Sequence, residues 1–137
     1  MHWYLKVLKN YATFSGRAQR KEFLIFTLFV VIFSVLLGII DSVLGFNFNE
    51  IGILNTVFLF LMLVPSLAVT VRRLHDTNRS GWWLFISLVP IVGGLILIYW
   101  EVKNGDVGEN RFGPDPKGFV EEREIDVKEM DTDSSVE

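Results

Sequence analysis

Phe23–Ile40 reads FLIFTLFVVIFSVLLGII, 18 residues without a charge, 15 of them Leu, Ile, Val or Phe. A helix rises about 1.5 Å per residue and the hydrocarbon core of a bilayer is about 30 Å thick, so this run is near the spanning length. A helix at the surface of a water-soluble fold keeps a polar face at 3.6-residue spacing, and this run has none. Two more runs repeat the pattern. Ile51–Val71, IGILNTVFLFLMLVPSLAVTV, continues for 21 uncharged residues, and Gly81–Trp100, GWWLFISLVPIVGGLILIYW, for 20. They hold 13 and 11 Leu, Ile, Val or Phe. At about −0.3 to −0.6 kcal/mol for each such residue near a helix centre, even the third run inserts favourably. Trp82, Trp83, Tyr99 and Trp100 bracket that third run, where aromatic rings settle among headgroups.

These runs predict an all-α integral membrane protein with spans at about 22–40, 51–72 and 81–100. The first run exceeds the apolar region of a secretory signal, about 7–15 residues, and no small-x-small site follows it cleanly, so it is read as a retained anchor. The 137 residues include no cysteine, which removes disulfides and thiolate metal sites from consideration.

Charge supplies the orientation. Lys6, Lys9, Arg17, Arg20 and Lys21 precede the first span, and Arg72, Arg73 and Arg79 lie between the second and third. The connection between spans one and two, DSVLGFNFNE, carries only Asp41 and Glu50. A cytoplasmic N-terminus puts eight basic residues on one side against none, as the positive-inside bias selects. Arginines in so short a loop can also snorkel and meet anionic headgroups, each contact being worth about 1 kcal/mol. Three spans would leave Lys103, Arg111 and Lys117 on the far side, which weakens the asymmetry. Pro90 and Gly93-Gly94 interrupt the third run. A kinked span is the favoured reading; a re-entrant hairpin that returns the tail to the cytoplasm is the alternative.

Ahead of the spans, residues 3–14 predict a short amphipathic helix. Trp3, Tyr4, Val7, Leu8, Tyr11 and Phe14 fall within one arc, opposite Lys6, Lys9, Asn10 and Thr13. It suits either the membrane interface or a packing face on the bundle. Ser15 reads as the N-cap of the next helix, and Arg17, Arg20 and Lys21 as one face of it. Residues 101–116 are rich in turn formers and complete a membrane domain over 1–116. Residues 117–137 carry eight acidic and three basic side chains and read as a disordered acidic tail. The net charge of −3 arises in that tail, and no basic-aromatic groove pattern points to nucleic acid.

FSGRAQRKEF before the first span, RRLHDTNRSGWW before the third and GENRFGPDP after it occur in one order. In this the chain resembles domain-of-unknown-function family 805, small bacterial inner-membrane proteins of the YhaH/YhaI type. Its opening, MHWYLKVLKNYATFSGRAQRKEF, looks most like YhaI-like members. The resemblance covers about residues 1–118. It implies a multi-pass protein of the bacterial cytoplasmic membrane and carries over no activity or cofactor. The acidic extension departs from it.

The chemistry in these motifs favours binding over catalysis. His75-Asp76 with Ser80 could suggest a triad, but adjacent side chains on one helix point apart, so no catalytic residue is expected. His2 and His75 are the only histidines and GDVGEN lacks the alternating acids of a calcium loop, so no metal or other cofactor is expected. The three apolar runs hold no Asp, Glu, Lys, Arg or His, and Thr27, Ser34, Asn55, Thr56, Ser66, Thr70 and Ser87 read as interhelical glue. The candidate site is a cytoplasmic cluster of Arg17, Arg20, Arg72, Arg73, His75 and Asp76, steadied by Glu22. Its guanidinium forks suit the phosphate of an anionic lipid or a carboxylate of an acidic partner. The expected partners are the bilayer, anionic phospholipid, and a second copy or another membrane protein. The alternative is a subunit of an oligomeric channel or transporter.

Overall fold

The computed structural model describes residues 2–48 and 51–134, apart from the side chains at 2, 3, 119–124 and 134. Glu50, the Trp3 side chain of the expected amphipathic face and residues 135–137 of the tail lie outside the described residues.

Among the described residues five α-helices follow in order: α1 (His2–Lys9), α2 (Arg20–Leu44), α3 (Ile53–Asp76), α4 (Val92–Val102) and α5 (Gly118–Ser134). A 3₁₀ helix, Gly81–Leu88, precedes α4. Two short antiparallel strands, β1 (Asn47–Phe48) and β2 (Ile51–Gly52), join α2 to α3 with Asn47 opposite Gly52 and Phe48 opposite Ile51. Helices α2 and α3 are long and apolar enough to cross a membrane. At about 1.5 Å per residue each extends past the hydrocarbon core at its ends.

Burial is inverted relative to a water-soluble protein. Leu28, Val35, Val43 and Phe60 are more than half exposed, while Glu22, Asp41, Arg73 and Asp76 are almost wholly buried. Apolar side chains facing outward along both long helices, with charge inside, is the pattern that a hydrocarbon solvent stabilises.

At the connecting end of the hairpin, Asp41 on α2 accepts the backbone N–H groups of Leu54 (3.0 Å) and Asn55 (2.9 Å). It thus caps the first turn of α3 from a neighbouring helix. Gly52 makes this approach possible, since a Cβ there would lie 2.4 Å from Asp41 Oδ2. Halfway along, Ser34 donates to Asn55 Oδ1 at 2.8 Å, one of the interhelical polar contacts expected of the spans. Pro65 inside α3 has no N–H for the carbonyl of Leu61, and the Tyr11 hydroxyl donates to that oxygen instead, at 2.8 Å.

Helix α1 packs on the hairpin. Val7 is fully buried against Ala18, Phe26 and Val69, with Tyr4 stacked on Phe26 at 5.8 Å. It is shorter than the expected 3–14 because the Asn10 side chain donates to the Lys6 carbonyl and residues 10–13 turn. The next helix begins later than expected. Gln19, not Ser15, is the N-cap of α2, and Arg17 lies before the helix, so it shares no helical face with Arg20 and Lys21.

The third apolar run differs most from the expected span. It is not one kinked helix over 81–100. The 3₁₀ helix ends at Leu88, the chain reverses around Pro90 and Ile91, whose φ is 64°, and α4 runs back. Trp83 and Trp100, 17 positions apart by residue number, meet edge to face at 5.5 Å, and the Arg79 guanidinium lies 4.6 Å over the Trp100 ring. Both ends of the run therefore sit beside the C-terminal end of α3. Eleven residues of α4 reach only about half-way through a core of about 30 Å. Proline cannot supply the helical N–H, and the close approach of Gly93 to Ile86 lets the two arms pack.

The acidic tail is also corrected: it is helical over Gly118–Ser134 instead of disordered. Its few large apolar groups argue against a packed core, but residues 119–134 contain neither Gly nor Pro and include four Glu, which favour helix locally. From Ile125 to Asp133 the side chains are exposed.

Candidate functional site

Gly16 turns the chain with φ 83°, and the N–H of Ala18 bonds the carbonyl of Arg72 at 3.1 Å, clamping the segment ahead of α2 to the end of α3. Arg17 then reaches Asp76, its Nε donating to Oδ1 at 2.9 Å and its Nη2 standing 2.9 Å from the same oxygen. Arg73, one turn before Asp76 on α3, holds the other carboxylate oxygen. One buried carboxylate is shared by two buried guanidinium groups.

The remaining donors of both arginines go to backbone carbonyls. Arg17 donates to Asp106 (2.5 Å) and Gly108 (2.5 Å), with a longer contact to Gly113 (3.4 Å). Arg73 donates to the carbonyls of Glu101 (2.8 Å), Ala18 (3.3 Å) and Lys103. The GDVGEN loop thus turns its carbonyls onto Arg17. Gly105 allows this closure, because a Cβ there would fall 1.8 Å from Asp76 Oδ2.

A second layer surrounds His75. Its Nδ1 lies 3.1 Å from the Gly16 carbonyl and its ring stacks on Phe112 at 3.9 Å, nearly parallel. Asn110 donates to the His75 carbonyl (2.9 Å) and Arg111 to that of Asn78 (3.1 Å). Gln19 donates to the Pro116 carbonyl at 2.5 Å. Asp115 accepts the N–H groups of Lys117 and Gly108. Slight burial acts to raise its pKa, but those two donors and the charges of Arg17 and Lys117 outweigh it and hold the carboxyl below its ordinary range. The three motifs separated in sequence therefore meet at one end of the hairpin.

Arg72 stands apart. It pairs with Glu22, Nη1 to Oε1 at 2.7 Å, and Lys6 of α1 lies 3.0 Å from Glu22 Oε2. Arg72 is buried, yet its Nε and Nη2 have no hydrogen-bond partner among the described residues. Arg20 is exposed and makes a long contact to Asn104 at 3.5 Å. The expected six-residue cluster thus divides: Arg17, Arg73 and Asp76 form the core, His75 packs beside it, Arg72 pairs with Glu22, and Arg20 stays outside. Ser80 accepts the N–H of Trp82 as the cap of the 3₁₀ helix, and among the described residues no hydrogen bond joins it to His75.

Sequence reasoning missed Glu101, which is buried at the end of α4 where the third run meets α3. It lies one residue beyond an apolar run and within no motif, so nothing local marked it.

Residues 11–114 match the family described as Protein of unknown function (DUF805). Over 118 residues, 85% of this chain and 98% of the relative, the sequence is 52% identical to Inner membrane protein YhaH of Escherichia coli (strain K12). It is 45% identical to Inner membrane protein YhaI of the same organism over 117 residues, 85% of this chain and 97% of that one. The likeness of the opening residues to YhaI-like members thus does not extend to a higher identity over the whole match. No solved structure matches the chain.

Proposed function

The chain belongs to the DUF805 family, and from that premise we propose that it is a non-enzymatic scaffold or binding subunit of the bacterial inner membrane. In this reading it crosses the bilayer twice, on α2 and α3, with its N-terminus and its interlocked polar end in the cytoplasm. Charge supports the arrangement. With the third run folded back, all 13 Lys and Arg belong to the polar side and none to the α2–α3 connection. Lys103, Arg111 and Lys117, which oppose a three-span arrangement, reinforce this one.

A topology reporter inserted at Asn47–Phe48 is expected to read periplasmic, and one fused after Glu137 cytoplasmic. A periplasmic C-terminus would sink the two-crossing reading.

The observation that carries the binding role is Arg72. Arg17 and Arg73 spend their donors inside the protein, whereas Arg72 keeps two buried N–H-bearing atoms open. Leaving charged donors unsatisfied costs several kcal/mol at the upper end, so an oxygen from outside the chain belongs there. Exposed Arg20 and Lys21 at the first turn of α2 add positive charge at the same end. An anionic headgroup or a carboxylate of an acidic partner fits that chemistry. His75 engaged on Gly16 and Phe112, and Ser80 engaged as a cap, support a role without catalysis.

Native mass spectrometry on the purified chain tests the site. Arg72→Gln is expected to retain phosphatidylglycerol about tenfold less than wild type, with phosphatidylcholine retention unchanged. Equal retention of phosphatidylglycerol by both proteins would remove the site.

A further inference from the structure

Between α2, α3 and α4 lies a half-open cleft of about 240 Å³. Its walls are largely apolar, with Phe23, Phe26 and Val69 among them, and Thr27, Ser66, Thr70 and Glu101 supply its polar atoms. The three hydroxyl residues were expected to bridge helices. They line this space together with a buried carboxylate.

Glu101 is 6% exposed, and among the described residues no cationic nitrogen lies within 4 Å of its carboxylate. Thr70 approaches it as a hydrogen-bond donor. Arg73 acts on it only at longer range, since the Arg73 donors bond the Glu101 carbonyl, Asp76, Ala18 and Lys103. A carboxylate held in an apolar wall without a cation is costly, and a cationic ligand that fills the cleft relieves that cost. The ligand must also be apolar, because the walls are.

We infer that this cleft binds an ammonium group carried on an apolar chain, with Glu101 as counter-ion, Thr27, Ser66 and Thr70 as polar neighbours, and Phe23, Phe26 and Val69 against the methylenes. The ammonium can come from an aminophospholipid of the bilayer or from a free long-chain amine. The site is separate from Arg72, and it needs only that the cleft be reached from lipid.

The test uses the full chain purified in a neutral detergent, with dodecylamine, dodecanol and phosphatidylethanolamine as probes and native mass spectrometry as readout. Glu101→Gln keeps the shape and the backbone carbonyl that Arg73 uses. Wild type is expected to retain dodecylamine about tenfold more than Glu101→Gln, while both hold dodecanol equally. The same Glu101 dependence for phosphatidylethanolamine would identify the bilayer lipid as a source; dependence for dodecylamine alone would identify the free amine. Equal retention of both amines by wild type and Glu101→Gln overturns the inference, as a carboxyl that simply kept a proton would predict. Ser66→Leu, which fills the cleft and leaves Glu101 in place, must lower retention of dodecylamine and dodecanol together. Unchanged dodecylamine retention in folded Ser66→Leu overturns the site even if Glu101→Gln fails to fold. Loss of anionic-lipid retention in Arg72→Gln would leave these outcomes untouched, so the two sites fail independently.

Discussion

Asp76→Ala is expected to destabilise the folded chain by about 3–5 kcal/mol, the range for removing one partner of a buried ion pair. The upper part of that range applies here, because two buried guanidinium groups share this carboxylate. Arg17 and Arg73 would keep their carbonyl partners but lose the only carboxylate within 4 Å among the described residues. Unfolding in mixed detergent micelles, followed by near-ultraviolet circular dichroism, reads the loss directly. Combining Asp76→Ala with Arg17→Met should cost less than the sum of the two single changes, since both disrupt one network. A loss under about 1 kcal/mol would mean that the cluster behaves like a solvent-screened surface pair, and the interlocked core would have to be abandoned.

Gly93→Ala should also destabilise the fold, though less than Asp76→Ala, and Gly94→Ala should be harmless. A methyl at position 93 would lie 1.7 Å from the carbonyl oxygen of Ile86 and 2.7 Å from its carbon. Those are backbone atoms of the opposing arm, so relief requires the hairpin to open and not merely a side chain to turn. The cost falls at the upper end of about 1–3 kcal/mol for overpacking. At Gly94 an added Cβ meets nothing within 4 Å, and exchange for alanine gains helix propensity of up to about 1 kcal/mol. The same unfolding assay compares them, with tryptophan fluorescence reporting separation of Trp83 from Trp100. Two variants of equal stability would argue that the arms of the third run are not packed together.

The two long helices were legible because membrane insertion depends on local content. Each residue adds its own transfer free energy, so FLIFTLFVVIFSVLLGII needs no partner to be recognised. Asp76 as a cap, or as a partner for Arg72, Arg73 or Arg17, was also within reach, since a carboxylate among arginines has few other uses. Its sharing between Arg17 and Arg73 was not legible. Glu22 was expected to steady the arginines, but not to pair with Arg72 across 50 residues and meet Lys6 from the opposite side. Asp41 looked like loop charge because its cap on α3 depends on Gly52 standing aside, a fact of three dimensions.

The chain's own order of residues determined the membrane class, the two long apolar helices, the uneven placing of basic charge and the three polar motifs. All of these are sums or patterns over neighbouring positions. Only the tertiary structure decided that the third run turns back and that the motifs close into one end. That outcome rests on contacts between distant residues: Gly93 against the Ile86 carbonyl, and Arg17 against Asp76 and the carbonyls of 106 and 108. Proline and glycine in an apolar run permit either a kink or a reversal. The reversal is stabilised where Arg73 meets the carbonyls of Glu101 and Lys103, bonds that exist only once α4 has come back to α3.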